Sequence, residues 1–125
     1  MPDSAKLIPI YNSHGEAAAF LVYPHIYSTL GEWIGWVSAE RKVYSIYGHF
    51  VGHLTKEPRI LRKREWGYTE PRQKPPEAPP PIRPPVRVPL STLMPEIANN
   101  MIDVLDEAPQ LLPAVDFGDL RDDLD

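Results

Sequence analysis

The sequence predicts an all-β fold of three to four repeated β-hairpins around a pseudo-fourfold axis, followed by a proline-rich extended strap, a short C-terminal helix and an acidic tail. Three observations support it. A tyrosine–glycine unit recurs in the first half of the chain, in steps of 16 and 17 residues. Nine of the 16 prolines lie between Pro71 and Pro89. Residues 91–125 hold nine acidic residues against one basic residue. Internal repetition of this kind sets the architecture.

Each repeat has a tyrosine, a glycine four residues later and a small residue after four more. The copies are Tyr11, Gly15 and Ala19; Tyr27, Gly31 and Gly35; and Tyr44, Gly48 and Gly52. Aliphatic–tyrosine pairs such as Ile10-Tyr11 favour a pleated, half-buried strand. The middle glycine is expected to end a short hairpin turn at positive φ, which glycine adopts without steric strain. At Ser28 and Ser45, which recur at one turn position, we expect the hydroxyl to bond nearby backbone.

The second arms of the hairpins are predicted over 17–21, 33–37 and 50–54. Strict alternation would place Trp33 and Val37 on one face and Ile34 on the other. The recurrent small residue marks a close backbone approach, and we expect the second arms to converge near a common axis. A fourth copy begins at Ile60-Leu61, lacks the turn glycine, and has Trp66-Gly67-Tyr68 as its candidate second arm.

Composition divides the chain into three predicted parts. Residues 5–70 form the hairpin domain, 71–90 a polyproline-II connector, and 91–125 an amphipathic segment with an acidic tail. Pro95 can open a helix that places four apolar residues on one face: Ile97, Met101, Val104 and Leu105. The net charges of +1, +3 and −8 in residues 1–70, 71–90 and 91–125 would let the basic middle attract the acidic end.

The stretch from Leu7 to about Arg64 resembles the bacterial 4-fold beta flower proteins. The resemblance is carried by the repeated aliphatic–tyrosine, glycine and glycine–aromatic units: Ile10-Tyr11, Gly15 and Phe20; Ile26-Tyr27, Gly31 and Gly35-Trp36; Val43-Tyr44, Gly48 and Gly52-His53. It implies a small all-β domain of four similar hairpins around a pseudo-fourfold axis. It brings no established activity and no catalytic residues. The proline-rich connector and the acidic tail lie outside this resemblance.

Several functional classes are disfavoured by composition. The chain has no cysteine, which excludes disulfides, thiolate metal sites and a cysteine nucleophile. No apolar run approaches the roughly 20 residues of a membrane-spanning helix, and Met1–Ser4 lacks the features of a signal peptide. We therefore expect a cytoplasmic protein without a cofactor.

No catalytic residue can be assigned from the sequence. It contains no G-x-S-x-G elbow, phosphate-binding loop or dinucleotide-binding loop. His49 and His53 are the strongest metal-ligand candidates, but on an extended strand they would lie about 13 Å apart. That separation is too large for one metal ion, so no metal site is predicted. The sequence favours a protein that is not an enzyme.

The predicted function is a non-enzymatic interaction or assembly module, acting through self-association or a protein partner. A domain of this size buries only about 60% of its unfolded surface, which favours oligomerisation. The candidate partner contacts are Arg59, Arg62, Lys63, Arg64, Trp66, Tyr68, Ile97, Met101 and Leu105.

Two alternatives stay open. Lys56, Arg59, Arg62, Lys63 and Arg64 lie beside Trp66 and Tyr68, a combination that can bind single-stranded nucleic acid by charge and stacking. The same basic cluster can instead protect an edge strand or receive the acidic tail. The other alternative is a small-ligand or enzymatic site near the pseudo-axis, lined by Tyr27, Trp33, Trp36 and Tyr44.

Overall fold

A computed structural model describes residues 6–64 and 70–114. They form one curled antiparallel sheet of eight strands, each paired with the next along the chain. The strands are β1 Leu7–Tyr11, β2 Ala17–Val22, β3 His25–Tyr27, β4 Trp33–Val37, β5 Lys42–Ser45, β6 Phe50–Leu54, β7 Ile60–Lys63 and β8 Met101–Asp103. A one-turn helix α1, Val104–Glu107, and a 3-10 turn, Pro109–Leu111, follow β8. The predicted all-β class is confirmed.

Three of the four hairpins have the predicted glycine turns. Gly15, Gly31 and Gly48 have φ angles of +83°, +87° and +91°. Each donates its N–H to the carbonyl oxygen three residues earlier, at 2.9–3.0 Å. The equal spacing of the glycines therefore records three equivalent turns.

The same three hairpins share a β-bulge. Ile26 pairs with Gly35, whereas the next residue, Tyr27, pairs with Trp33, which leaves Ile34 as an extra residue. The corresponding extra residues in the other two hairpins are Ala18 and Val51. The bulge is thus a repeated part of the unit.

The bulges correct the predicted side-chain pattern. An extra residue reverses the alternation of side chains beyond it. Ile34 and Val37 consequently both contribute to the hydrophobic core, although strict alternation predicted opposite faces. Val51 and Leu54 do the same one hairpin later.

The core is an aliphatic cluster closed by the C-terminal segment. Val104 and Leu112 pack into it and are almost inaccessible to solvent. The other buried members come from the sheet: Ile10, Ala19, Leu21, Ile26, Ile34, Val37, Val43, Val51, Leu54 and Ile60. The segment after β8 is therefore an integral part of the packed unit.

The small residues of the second arms are explained by the neighbouring strands. A methyl group on Gly35 would clash with the carbonyl oxygen of Tyr44 on β5. One on Gly52 would clash with the carbonyl oxygen of Leu61 on β7. The predicted close backbone approach is confirmed, and the backbone approached is that of the following strand.

The fourth hairpin is built differently. Its first arm is β7, as predicted, and its second arm is β8, with Leu61 opposite Asp103 and Lys63 opposite Met101. Residues 64–100 take the place of a tight turn. The alternative second arm, Trp66-Gly67-Tyr68, lies outside the described residues. The proline-rich connector is thus the loop of the last hairpin.

The predicted helix is confirmed only as a short element. The structure places it at Val104–Glu107, whereas the sequence predicted a start at Pro95. Met101 lies on β8, and Ile97 lies outside any helix or strand. Pairing with β7 satisfies the backbone of this segment better than a helix that Asn99-Asn100 would weaken.

Candidate interaction surface

The rim, as we call it, consists of the three glycine turns, residues 12–16, 28–32 and 45–49. A polar side chain opens each turn and accepts two backbone N–H bonds. The Ser28 hydroxyl accepts from Leu30 at 3.1 Å and from Glu32 at 3.2 Å. Asn12 and Ser45 do the same in the other turns, at 2.9–3.3 Å. These bonds satisfy the backbone inside the turns and leave the glycine carbonyls facing outward.

The proline-rich segment binds to the rim through backbone hydrogen bonds. We define the strap as residues 71–93. It extends beyond the predicted end at residue 90, because the strap makes its last hydrogen bond to a rim turn at Ser91. The N–H groups of Gln73, Ile82 and Ser91 donate to the carbonyl oxygens of Gly48, Gly31 and Gly15, at 2.9, 3.0 and 2.9 Å. Along its length the strap therefore contacts the third turn first, then the second and then the first.

The three anchors are evenly spaced. Gln73, Ile82 and Ser91 are nine residues apart, while the glycines that they meet are 16 or 17 residues apart. A polyproline-II helix has three residues per turn. Nine residues are three full turns, so every anchor presents the same face of the strap to the rim.

The glycines also make room for the strap. A methyl group on Gly31 would clash with the carbonyl oxygen of Ile82, and one on Gly48 with that of Gln73. A methyl group on Gly15 would lie 3.2 Å from the Ser91 hydroxyl oxygen. These glycines therefore serve both the turn and the close approach of a second backbone.

Proline placement along the strap matches this register. Proline has no N–H to donate, and all three anchors are other residues within a segment rich in proline. Ile82, for example, lies between Pro81 and Arg83, with Pro84 one position further. This nine-residue spacing was not predicted from the sequence, although the residues that interrupt the prolines were a signal for it.

Strap residues and aromatic residues of the sheet line two shared grooves. Trp33 and Glu32 line a groove of about 220 Å³ with Ala78, Pro79 and Pro81 of the strap. Phe20, itself buried, lines a second groove of about 320 Å³ together with Pro85 and Val88 of the strap. The strap side of each groove is formed mainly by proline and other apolar residues, so the lining opposite the aromatic rings is largely apolar.

Other strap side chains point into solvent. Val86 and Leu93 are 99% exposed, and Leu90 is 72% exposed. Leu30, in the middle rim turn, is also largely exposed. The strap additionally exposes four cationic residues against one carboxylate, Glu77: Arg72, Lys74, Arg83 and Arg87. The fixed segment thus presents apolar and positively charged groups outward.

A buried polar network joins the first turn, the β6–β7 turn and β8. The Arg59 side chain, 2% exposed, donates to Glu57 at 2.8 Å, to the Pro95 carbonyl at 2.8 Å and to the Ser13 hydroxyl at 3.2 Å. Ser13 in turn donates to Asp103 at 2.7 Å. The adjacent guanidinium lowers the pKa of Glu57. The backbone N–H of Tyr11 also donates to the Pro58 carbonyl oxygen, at 2.9 Å.

The structure separates the predicted basic cluster. Arg59 is buried in the polar network, and Arg62 donates to the Val51 carbonyl at 3.2 Å. Arg64 donates to the carbonyls of Asn99 and Met101 at 3.2 and 3.4 Å. Lys56 and Lys63 are exposed. Trp66, Tyr68 and the acidic residues beyond 114 lie outside the described residues.

The residues predicted to line an axial site are dispersed. Tyr27 and Tyr44 are buried, and burial raises the pKa of both phenols. Trp36 stacks on Tyr44 with ring centroids 5.1 Å apart, whereas Trp33 lines the groove under the strap. Trp33 also meets His25 edge to face at 5.8 Å, and burial lowers the pKa of that histidine.

The two histidines considered as metal ligands are both exposed. His53 lies on β6 and its ring meets Phe50 edge to face at 5.4 Å, while His49 ends the third rim turn. Across residues 6–64 and 70–114, no group of three histidine or carboxylate side chains could hold a metal ion. In the same ranges no helix has the length and apolarity needed to cross a membrane.

The remaining predicted contacts lie near β8. Met101 and Leu105 are half-buried, and Leu105 packs against the core. Ile97 is half-buried in the segment that leads from the strap to β8. Leu105 therefore contributes to the core, and Met101 contributes to the pairing of β8 with β7.

Residues 8–100 match the family described as 4-fold beta flower protein. This match includes the proline-rich strap, which lies beyond the resemblance predicted from Leu7 to about Arg64. Searches of curated proteins and of solved structures found no match.

Proposed function

The chain belongs to the 4-fold beta flower family, and we propose that it is a non-enzymatic interaction module that presents its strap to a partner. The partner is a second copy of the chain or another protein. The observation that carries this proposal is the strap itself, which is anchored at three points while Val86 and Leu93 remain 99% exposed.

The physical basis is preorganisation. A free proline-rich peptide loses conformational freedom when it binds, and fixing it beforehand removes part of that loss. Apolar side chains on a fixed, extended backbone suit an aromatic or aliphatic groove. The exposed Arg83 and Arg87, which flank Val86, favour a groove with carboxylates at its margin.

The test compares a double variant, Val86→Asp with Leu93→Asp, with the wild-type chain. Tyr23→Asp is the matched control, because Tyr23 is an exposed apolar residue in the β2–β3 turn, at the other ends of the strands. We expect self-association in sedimentation velocity, or cross-linking to one partner in the source cells, to be lost only in the double variant. Equal behaviour of all three proteins would contradict the proposal.

Single-stranded nucleic-acid binding is the second candidate. The observation in its favour is the exposed cationic set on the strap together with Lys56 and Lys63. Such binding must weaken steeply with salt, because it releases counterions. A fluorescence titration with single-stranded DNA and RNA at low salt tests it, and absence of binding would remove this candidate.

A further inference from the structure

We propose that the rim is a binding site for extended proline-rich segments, and that it accepts a strap in trans from a second copy of the chain. In the structure the strap of the same chain occupies this site. The inference rests on the proposed role as an interaction module but concerns a different surface, the rim beneath the strap. Its test below is independent of the outward side chains.

The rim binds the strap largely through backbone atoms. Each turn offers a glycine carbonyl as acceptor and an α-carbon without a side chain, against which a second backbone can lie. Because the three turns have the same conformation, the site reads a repeated pattern. The required ligand has an N–H donor at every ninth residue and an extended backbone between the donors.

Side-chain pockets add selectivity for proline and aliphatic residues. Pro79 and Pro81, which lie between the first and second anchors, form the strap side of the groove at Trp33. Pro85 and Val88, which lie between the second and third anchors, form part of the strap side of the groove at Phe20. A ligand that lacks these residues would keep the hydrogen bonds but lose the apolar contacts.

The strap is suited to exchange between copies. Most of its residues are exposed, including Arg72, Glu77 and Val86, so little of its surface is committed to the sheet. Backbone bonds to three similar turns can be made equally well by an identical segment from another molecule. In cis, tethering gives the strap a high effective concentration, on the order of millimolar for a short flexible tether. External binding therefore becomes measurable once the internal strap is displaced.

The experiment uses a full-length variant in which residues 71–93 are replaced by a Gly-Ser segment of the same length. The probe is a synthetic peptide of residues 71–93, followed by isothermal titration calorimetry. We expect saturable one-to-one binding to this variant and much weaker binding to the wild-type chain, whose own strap competes for the rim. A cooperatively folded variant that does not bind the peptide would overturn the proposal.

Two substituted peptides test the nine-residue register. Ile82→Pro removes an anchoring N–H, while Val86→Pro makes the same change at a 99% exposed position. Loss of a hydrogen bond of ordinary strength should weaken the first peptide about fivefold to tenfold. The second should bind like the parent peptide. Equal affinity of the two substituted peptides would contradict backbone anchoring.

Amide hydrogen exchange keeps the proposal testable if the Gly-Ser variant does not fold. In the wild-type chain, we expect the N–H groups of Gln73, Ile82 and Ser91 to exchange at least about tenfold more slowly than those of Arg83 and Arg87. Added strap peptide should speed exchange at the three anchors by displacing the internal strap. Uniformly fast exchange along the strap, or no response to the peptide, would refute the inference.

Discussion

The first three hairpins and the fourth solve the same structural problem in different ways. The first three close with tight turns at Gly15, Gly31 and Gly48. The fourth joins β7 to β8 through residues 64–100, and that long connection runs back along the other three turns. The difference shows how a repeat fold can use the loop of one unit to connect all the others. The local turns shape the rim, and the long loop binds to it.

The largest expected effect lies where the fourth unit meets the first. Arg59→Met removes the buried guanidinium that bonds Glu57, Ser13 and the Pro95 carbonyl. Because Glu57 is 25% exposed and stays hydrated, we expect the loss of this pair and of the two other hydrogen bonds to destabilise by about 2–3 kcal/mol. Urea denaturation should show this loss, whereas Lys56→Met, at an exposed position, should change the free energy of unfolding little. Equal effects would mean that the network does not hold the units together.

The next largest effect is a difference in stability loss between a substitution in the middle turn and the same substitution in the first turn. Gly31→Ala strains a residue at positive φ and also clashes with the Ile82 carbonyl, so we expect a loss of about 2 kcal/mol. Gly15→Ala suffers the same strain but meets only the Ser91 hydroxyl, at 3.2 Å, and should lose about 1 kcal/mol. Thermal denaturation of both variants measures the difference. Indistinguishable melting temperatures would show that the strap does not lie against Gly31.

The pH dependence tests the same network as Arg59→Met. Arg59 lowers the pKa of Glu57 in the folded chain. A carboxylate of lowered pKa stabilises the fold above its ordinary pKa, and this contribution is lost as pH falls through the folded value. We therefore expect stability to decrease on acidification below the ordinary glutamate pKa of about 4.3. Glu57→Gln should flatten this part of the stability–pH curve, measured by chemical denaturation; an unchanged curve would contradict the coupling.

The smallest effect concerns the polar residue that opens each turn. Ser28→Ala leaves the N–H groups of Leu30 and Glu32 without their side-chain acceptor, though both residues are exposed to water. The expected loss is about 0.5–1 kcal/mol. Thr29→Ala is the control, since Thr29 is an exposed residue of the same turn. Chemical denaturation of both variants should show the larger loss at Ser28.

Features encoded locally could be read from the sequence, and features encoded by distant contacts could not. Gly31 and Ser28 indicate a turn because their conformational and hydrogen-bonding preferences act within five residues. The bulge at Ile34 has no such local signal, so Ile34 was wrongly predicted to lie on the face opposite Val37. The all-β class needed only the repeated pattern, which survives one extra residue in each arm.

The candidate site shows the same limit. Prolines predicted an extended segment, but its attachment depends on Ile82 meeting Gly31, residues far apart along the chain. Met101 and Val104 likewise suggested a helix because their spacing suits one, while β7 offered a strand partner that only the folded sheet reveals. The basic cluster looked continuous, yet folding buries Arg59 and leaves Lys63 exposed.

The long connection between β7 and β8 has a consequence for the order in which the chain assembles. Closing 37 residues rather than the five of a rim turn costs about 2 kcal/mol more in chain entropy. Each hydrogen bond between a rim glycine and the strap divides the long loop into shorter segments of nine residues. We therefore expect the strap to dock at Gly48, Gly31 and Gly15 in succession, so that Met101–Asp103 pairs with the edge of β7 last.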